Sequence, residues 1–169
     1  NLNVEKEILT AKTKGEHSAL SGNQNKVDIN IDFENRNISE VKKDEVALYL
    51  LKPYSEDLSS YFEQFKKRDK GYYPHIAINE HLFMSFAKNE LGFNVPYTAL
   101  VEGEKEFHYI TKRYDRYENY KYHQKDFAQY LGIESTQKYK TTSEALFTKL
   151  NEIIYSEDEK FNALRFYFY

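Results

Sequence analysis

The sequence contains no cysteine, so disulfides, thiolate metal sites and thiol nucleophiles are excluded. A reducing compartment is compatible with that absence. Tryptophan is also missing, although the aromatic share is 17% and sixteen residues are Tyr. Much of any core is therefore built from Tyr and Phe. No apolar run approaches the length of a membrane span. A formal net charge of −3 provides no general attraction to nucleic acid or to an anionic bilayer. The leading stretch "NLNVEKEILTAKTKGEH" is charged and has no apolar segment of the secretory type. An initiator Met is absent from it as well, so the chain is expected to be a processed, excised or partial piece. There is no internal repeat, Walker A loop or nucleophile elbow. The five histidines (17, 75, 81, 108, 123) have no metal-ligand spacing, and no metal site is expected.

What is present begins with alternation. Val27, Ile29, Ile31 and Phe33 fall on one face of a strand over 27–33, and Asp28, Asn30, Asp32 and Glu34 on the other. The run before it, Ser18 to Asn25, has the composition of a turn or loop. "VALYLLK", 46–52, is almost continuously apolar, as in a strand buried on both faces. Residues 53–73 are mixed and polar, with a short helix expected near Leu58–Lys67. A helix is expected over 77–91, closed by Gly92. Two strands then flank a turn at Gly103, with alternation through Phe107, Tyr109 and Thr111.

Beyond about residue 117 the period changes to 3.6. One helix is expected at 124–131, ended by Gly132. A second follows Thr141 and Glu144, which have capping-box spacing, and carries Leu146, Leu150, Ile153 and Ile154. Ser156 and Glu159 repeat that spacing before a third helix with Phe161, Leu164 and Phe168. Strands with one helix, then helices alone, describe an α+β chain: an antiparallel sheet lobe over 1–116 and the start of a helical lobe over 117–169.

Two charged residues stand where charge is costly. Lys52 ends a buried strand, and Glu80 falls on the helix face of Met84, Ala87 and Leu91. A Lys52–Glu80 ion pair would satisfy both and leave the ammonium placed to hold an anion such as phosphate. Against it stand two simpler outcomes: Glu near a helix N-terminus is favoured by the dipole, and Lys at a strand end can reach solvent. A small-residue loop, a strand-ending Lys and a helix Glu, in that order, form the sequence of parts in kinase-type small lobes.

"SALSGNQNKV", "LLKP", "INEHLFMSFAKNELGFNVP", "ITKRYDR", "YHQKDFAQYLG" and "QKY" together resemble the HipA-like serine/threonine kinases, toxins of bacterial toxin–antitoxin pairs. The likeness runs from about Ser18 to Tyr139 and weakly on to the end. It implies a kinase-like small lobe in which Ser21, Gly22, Asn23 and Gln24 lie in a phosphate-covering loop and Lys52, oriented by Glu80, contacts the phosphates. Backbone groups of Lys112 to Tyr114 would meet the adenine at a hinge. Asp115, between Arg113 and Arg116, would form an ion-pair cluster behind it. The implied reaction transfers the γ-phosphate of ATP, with Mg²⁺, to a Ser or Thr of a protein, and the implied partner is a helix-turn-helix antitoxin.

Two departures from the family pattern matter. A Ser that members autophosphorylate three residues before the loop Gly is Ala19 here, which leaves Ser21 as the candidate. No catalytic-loop Asp or metal-binding Asp follows: "KFNALRFYFY" resembles the helix leading into that loop. The chain is thus expected, as it stands, not to transfer phosphate and to bind nucleotide weakly at best. The competing class is a non-catalytic module that engages an antitoxin-like partner. A cytoplasmic location is expected, with a secreted effector as the alternative. "KRYDRYENYKYHQK", 112–125, interleaves bases with Tyr as single-strand nucleic-acid grooves do, but its acids and the acidic chain argue against that role.

Overall fold

A computed structural model describes residues 3–4, 26–42, 45–54, 75–103, 106–118, 120–134, 137 and 140–169. They divide into two compact units, Asn1–Tyr122 and His123–Tyr169. The expected loop at 18–25 and the short helix near Leu58–Lys67 lie outside the described residues.

The first unit is built on a sheet of strands β1 (Asn3–Val4), β2 (Val27–Asp32), β3 (Asn37–Glu40), β4 (Tyr49–Lys52), β5 (Thr98–Glu102) and β6 (Phe107–Lys112), with helix α1 (Ile76–Asn89) between β4 and β5. Its spatial order is β1-β3-β2-β4-β6-β5. β1 runs parallel to β3, and every other pairing is antiparallel. A short hairpin, β7 (Arg116–Tyr117) and β8 (Tyr120–Lys121), follows. The α+β order is the expected one: sheet first, then helices.

Ile29, Ile38, Leu51, Val101 and Ile110 form the core, with Val27, Ile31, Tyr49 and Ala99 packed around them. The alternation of β2 thus places its apolar residues inward. Phe33 does not continue the strand and is 58% exposed. Asp32 ends it by accepting the backbone N–H groups of Glu34 and Asn35 at 3.0 and 2.9 Å, and the chain returns through Arg36 at φ 53°. The returning strand β3 has Ile38 as its one buried side chain, so no period in the sequence announces it.

β4 starts three residues later than its apolar run. The Asn30 amide explains this: its Nδ2 donates to the Val46 carbonyl at 3.1 Å, and its Oδ1 accepts the Leu48 N–H at 3.0 Å. Two backbone groups of the run are therefore bound to a side chain of β2. Within β4 both Leu50 and Leu51 are buried, as a strand covered on both faces requires. Its neighbour β6 behaves alike: His108, Tyr109 and Ile110 are all buried, so the half-buried alternation expected there gives way at the centre of the sheet.

α1 packs on β5 and β6. It closes near the expected place, with left-handed Gly92 at φ 68° and the Phe93 N–H on the Ala87 carbonyl at 2.9 Å.

Beyond β6 the ionic residues turn inward. Arg113 is 6% exposed and Asp115 4%. The guanidinium meets Asp115 through two bonds of 3.0 and 2.9 Å and reaches Asp28 of β2 at 2.8 Å. Arg116 pairs with the same Asp115 carboxylate and donates to its carbonyl at 3.1 Å. The Arg113 N–H bonds the Leu48 carbonyl at 2.8 Å, and the Tyr122 N–H bonds Asp115 O at 2.9 Å. Burial would push the Asp115 carboxyl up, but Arg113 and Arg116 overcome it and hold it below the ordinary value. This is the ion-pair cluster expected of Arg113–Asp115–Arg116, in place of a solvated turn.

The second unit holds α2 (Phe127–Leu131), α3 (Ser143–Ile153) and α4 (Glu157–Phe168). α2 begins later than 124 because Asp126 forms a reciprocal capping box with Gln129. It ends at left-handed Gly132, as expected. The cap of α3 is Thr142, not Thr141: its hydroxyl accepts the Ala145 N–H at 3.2 Å. Leu150 is the buried residue of the α3 stripe. Ser156 caps α4 by accepting from Glu159 N–H. The expected stripe of α4 remains exposed, with Phe161 at 62% and Phe168 at 80%. Contact with α3 is made by Tyr167, whose ring meets Phe147 edge-on at 4.8 Å and whose hydroxyl bonds Ser143.

Replacing Asp115 by Asn leaves the buried guanidinium without its main counter-charge. Urea denaturation should show a loss of about 3 kcal/mol; a loss under about 0.5 kcal/mol would mean that the cluster contributes nothing to the fold.

Candidate functional site

The expected meeting of Lys52 and Glu80 occurs. Lys52 Nζ lies 2.7 Å from Glu80 Oε2, with the two side chains 23% and 27% exposed. β4 brings the lysine to the end of a buried strand, and α1 brings the carboxylate across the same face. The pair is shielded enough to be well oriented and open enough to be reached from solvent.

Lys52 stands directly opposite Tyr109 in the β4–β6 ladder. Its ammonium lies over the Tyr109 ring, 5.2 Å from the centroid. Burial pushes the phenol up to about 12, partly offset by a hydrogen bond with Thr111 and reinforced by the Glu80 charge. The ring is therefore neutral over the physiological range. Its role beside Lys52 was not legible: β4 and β6 are far apart in the chain, and their register is set by folding. A second link fixes α1 to this face, His81 Nδ1 to Thr98 Oγ1 at 2.9 Å.

Tyr49 faces Lys112 in the same ladder, so Lys112 lies at its other end from Lys52. The pleat turns the Lys112 side chain to the opposite face of the sheet. The Lys112 N–H bonds the Tyr97 carbonyl at 2.8 Å, and the Arg113 N–H bonds Leu48 O. Those two donors are engaged within the fold, and the Lys112 carbonyl accepts the Thr111 hydroxyl at 3.4 Å. Tyr114 is 76% exposed. Ser21, Gly22, Asn23 and Gln24 lie outside the described residues.

The exit from β4 is held by a residue that spacing alone set aside. His108 Nδ1 accepts the Tyr54 N–H at 2.8 Å, two residues after Lys52. The ring proton is thereby placed on Nε2. A Cβ at Gly103 would stand 2.3 Å from His108 Nε2 and 2.6 Å from the Glu106 carbonyl, so this turn has no room for a side chain. The Gly103 N–H in turn bonds Glu106 O at 3.1 Å. Burial pushes the His108 imidazole below its ordinary value.

Among the described residues no group of three or more His, Cys, Asp or Glu side chains could hold a metal ion. Among the same residues no helix is long and apolar enough to cross a membrane.

Residues 18–168 match the family described as the HipA-like C-terminal domain. No curated protein matches the chain at a significant level.

His108 accepts from Tyr54 only while neutral. With its folded value depressed, its contribution to stability is complete above the ordinary value of about 6.5 and is lost as the pH falls. His108→Asn retains an acceptor but does not titrate. Thermal melts from about pH 7.5 to 5 should show the natural chain losing stability relative to this variant; parallel curves would remove the linkage.

Proposed function

Because the chain belongs to the family of HipA-like C-terminal domains, we propose that it forms the ATP-binding part of a protein serine/threonine kinase. The observation that carries this reading is the 2.7 Å Lys52–Glu80 pair, made between the end of a buried strand and the helix that follows it. A lysine so held presents a fixed positive charge while the carboxylate prevents it from folding back onto the sheet. Polyphosphate is the ligand class suited to such a charge.

In this reading Lys52 binds the phosphates of ATP and Glu80 orients it. Ser21, Gly22, Asn23 and Gln24 cover the phosphates from the loop. The segment Lys112–Tyr114 borders the adenine. Since the Lys112 and Arg113 N–H groups already serve the Tyr97 and Leu48 carbonyls, the contact of this segment with adenine is not made through those two donors. Transfer of the γ-phosphate to a protein Ser or Thr requires a general base and Mg²⁺ ligands from residues other than those described. Ser21 is the site of autophosphorylation in this proposal, and a helix-turn-helix antitoxin is the partner class that the family suggests.

Isothermal titration with Mg·ATP tests the binding step. The natural chain should bind, Lys52→Met should weaken binding by about tenfold or more, and Glu80→Gln by less. Equal affinities for the natural chain and Lys52→Met would dispose of the phosphate role. Autophosphorylation is read separately, by phosphopeptide mapping of the natural gene product after ATP treatment: phosphate on Ser21 supports the assignment, and phosphate only elsewhere refutes it.

A further inference from the structure

The Lys52–Glu80 pair rests on an aromatic floor that a purely structural strand would not need. Tyr109 is 3% exposed and lies opposite Lys52 in the ladder, so both side chains leave the sheet on the same face, with Cβ atoms about 5 Å apart. The 5.2 Å from ammonium to ring centroid falls within the reach of a cation–π contact. Such a contact is strongest when the ring is desolvated, as it is here. A Leu or Ile would fill the volume without a buried hydroxyl to satisfy. The phenol instead has the Thr111 side chain, two residues further along the same face, as a hydrogen-bonding neighbour.

A lysine has four rotatable side-chain bonds, and one carboxylate on one side leaves the ammonium free to swing about it. The ring supplies a second side. Glu80 and Tyr109 also differ in kind: the carboxylate accepts a proton of the ammonium, and the π face takes no hydrogen-bond donor from it. The remaining N–H groups stay available to an incoming oxygen.

We propose that Tyr109 is a positioning residue whose ring face, together with the Glu80 carboxylate, holds the Lys52 ammonium ready to receive a phosphate oxygen. The identity of that anion rests on the nucleotide reading above; the ring–lysine contact does not.

The test alters the ring's electrostatics at nearly constant volume. Tyr109→Phe should keep ATP affinity within about twofold, because the π face remains. Replacing residue 109 in turn by mono-, di- and pentafluorinated phenylalanine should weaken ATP binding stepwise, to about tenfold at the last. Lysine-selective ¹³C labelling gives a readout without nucleotide. The Lys52 side-chain signal, assigned by its loss in Lys52→Arg, should be shifted upfield by the ring and return to the ordinary position in Tyr109→Leu. Equal affinity across the fluorinated series would make the ring mere filler and overturn the proposal. So would a Tyr109→Phe variant as weak as the pentafluorinated one, since the hydroxyl would then be the active part. An upfield-shifted Lys52 in a natural chain that binds no ATP would overturn the nucleotide reading and the anion half of the proposal, with the contact itself intact. An unshifted Lys52 in the natural chain would overturn the contact.

Discussion

A buried guanidinium organises the first unit. Arg113 leaves the sheet at the end of β6 and is enclosed with Asp115, so its charge must be answered locally or the fold bears a large desolvation cost. The answers come from separate parts of the chain, Asp115 beside it and Asp28 from β2, while the Arg113 main-chain N–H separately bonds the Leu48 carbonyl at the entry to β4. Asn30 holds the same entry from the other side through Val46 and Leu48. The central strands β2, β4 and β6 are thus tied at one end by polar groups whose geometry admits one register. A slip of one residue would leave the guanidinium facing apolar groups and would turn Leu51 and Ile110 out of the core.

That register has a consequence at the other end of the ladder. If Tyr49 faces Lys112, then Lys52 must face Tyr109. The placement of a charged lysine over a buried ring is thereby inherited from the polar cluster about three residues away along β4. α1 then adds Glu80 from above, held to the same face by His81 and Thr98. On the opposite face His108 receives Tyr54 and so directs the chain as it leaves Lys52. The lysine is therefore constrained in its strand, in its exit and in its side chain, the kind of preorganisation that binding an anion rewards.

Some of this was legible from residue patterns. The inward face of β2, the two-sided burial of β4, the closing glycines of α1 and α2 and the cost of leaving Lys52 and Glu80 unpaired all follow from local spacing and elementary electrostatics. Other features were hidden for physical reasons. β3 buries a single isoleucine and has no period to detect. The late start of β4 depends on an amide sixteen and eighteen residues earlier. Thr141 and Thr142 are chemically equivalent as caps, and spacing alone does not say which of them takes the extended backbone that Thr142 has. The alternation through Phe107, Tyr109 and Thr111 concealed that His108 and Ile110 are buried too, because coverage on both faces is a property of the assembled sheet.

Taken alone, the sequence determined which residues could not tolerate isolation: two charges beside apolar runs, an Asp between two arginines, and alternating side chains that require a sheet. It also determined the order of elements, strands before helices, because period and capping chemistry are local. Tertiary structure decided which partners those residues obtained. Lys52 met Tyr109 as well as Glu80, Arg113 reached Asp28 across eighty-five residues, and His108 turned from a histidine without metal spacing into the acceptor that fixes the exit of β4. Pairings of that kind depend on strand register and helix placement, which arise when the whole sheet closes and which no short window of sequence contains.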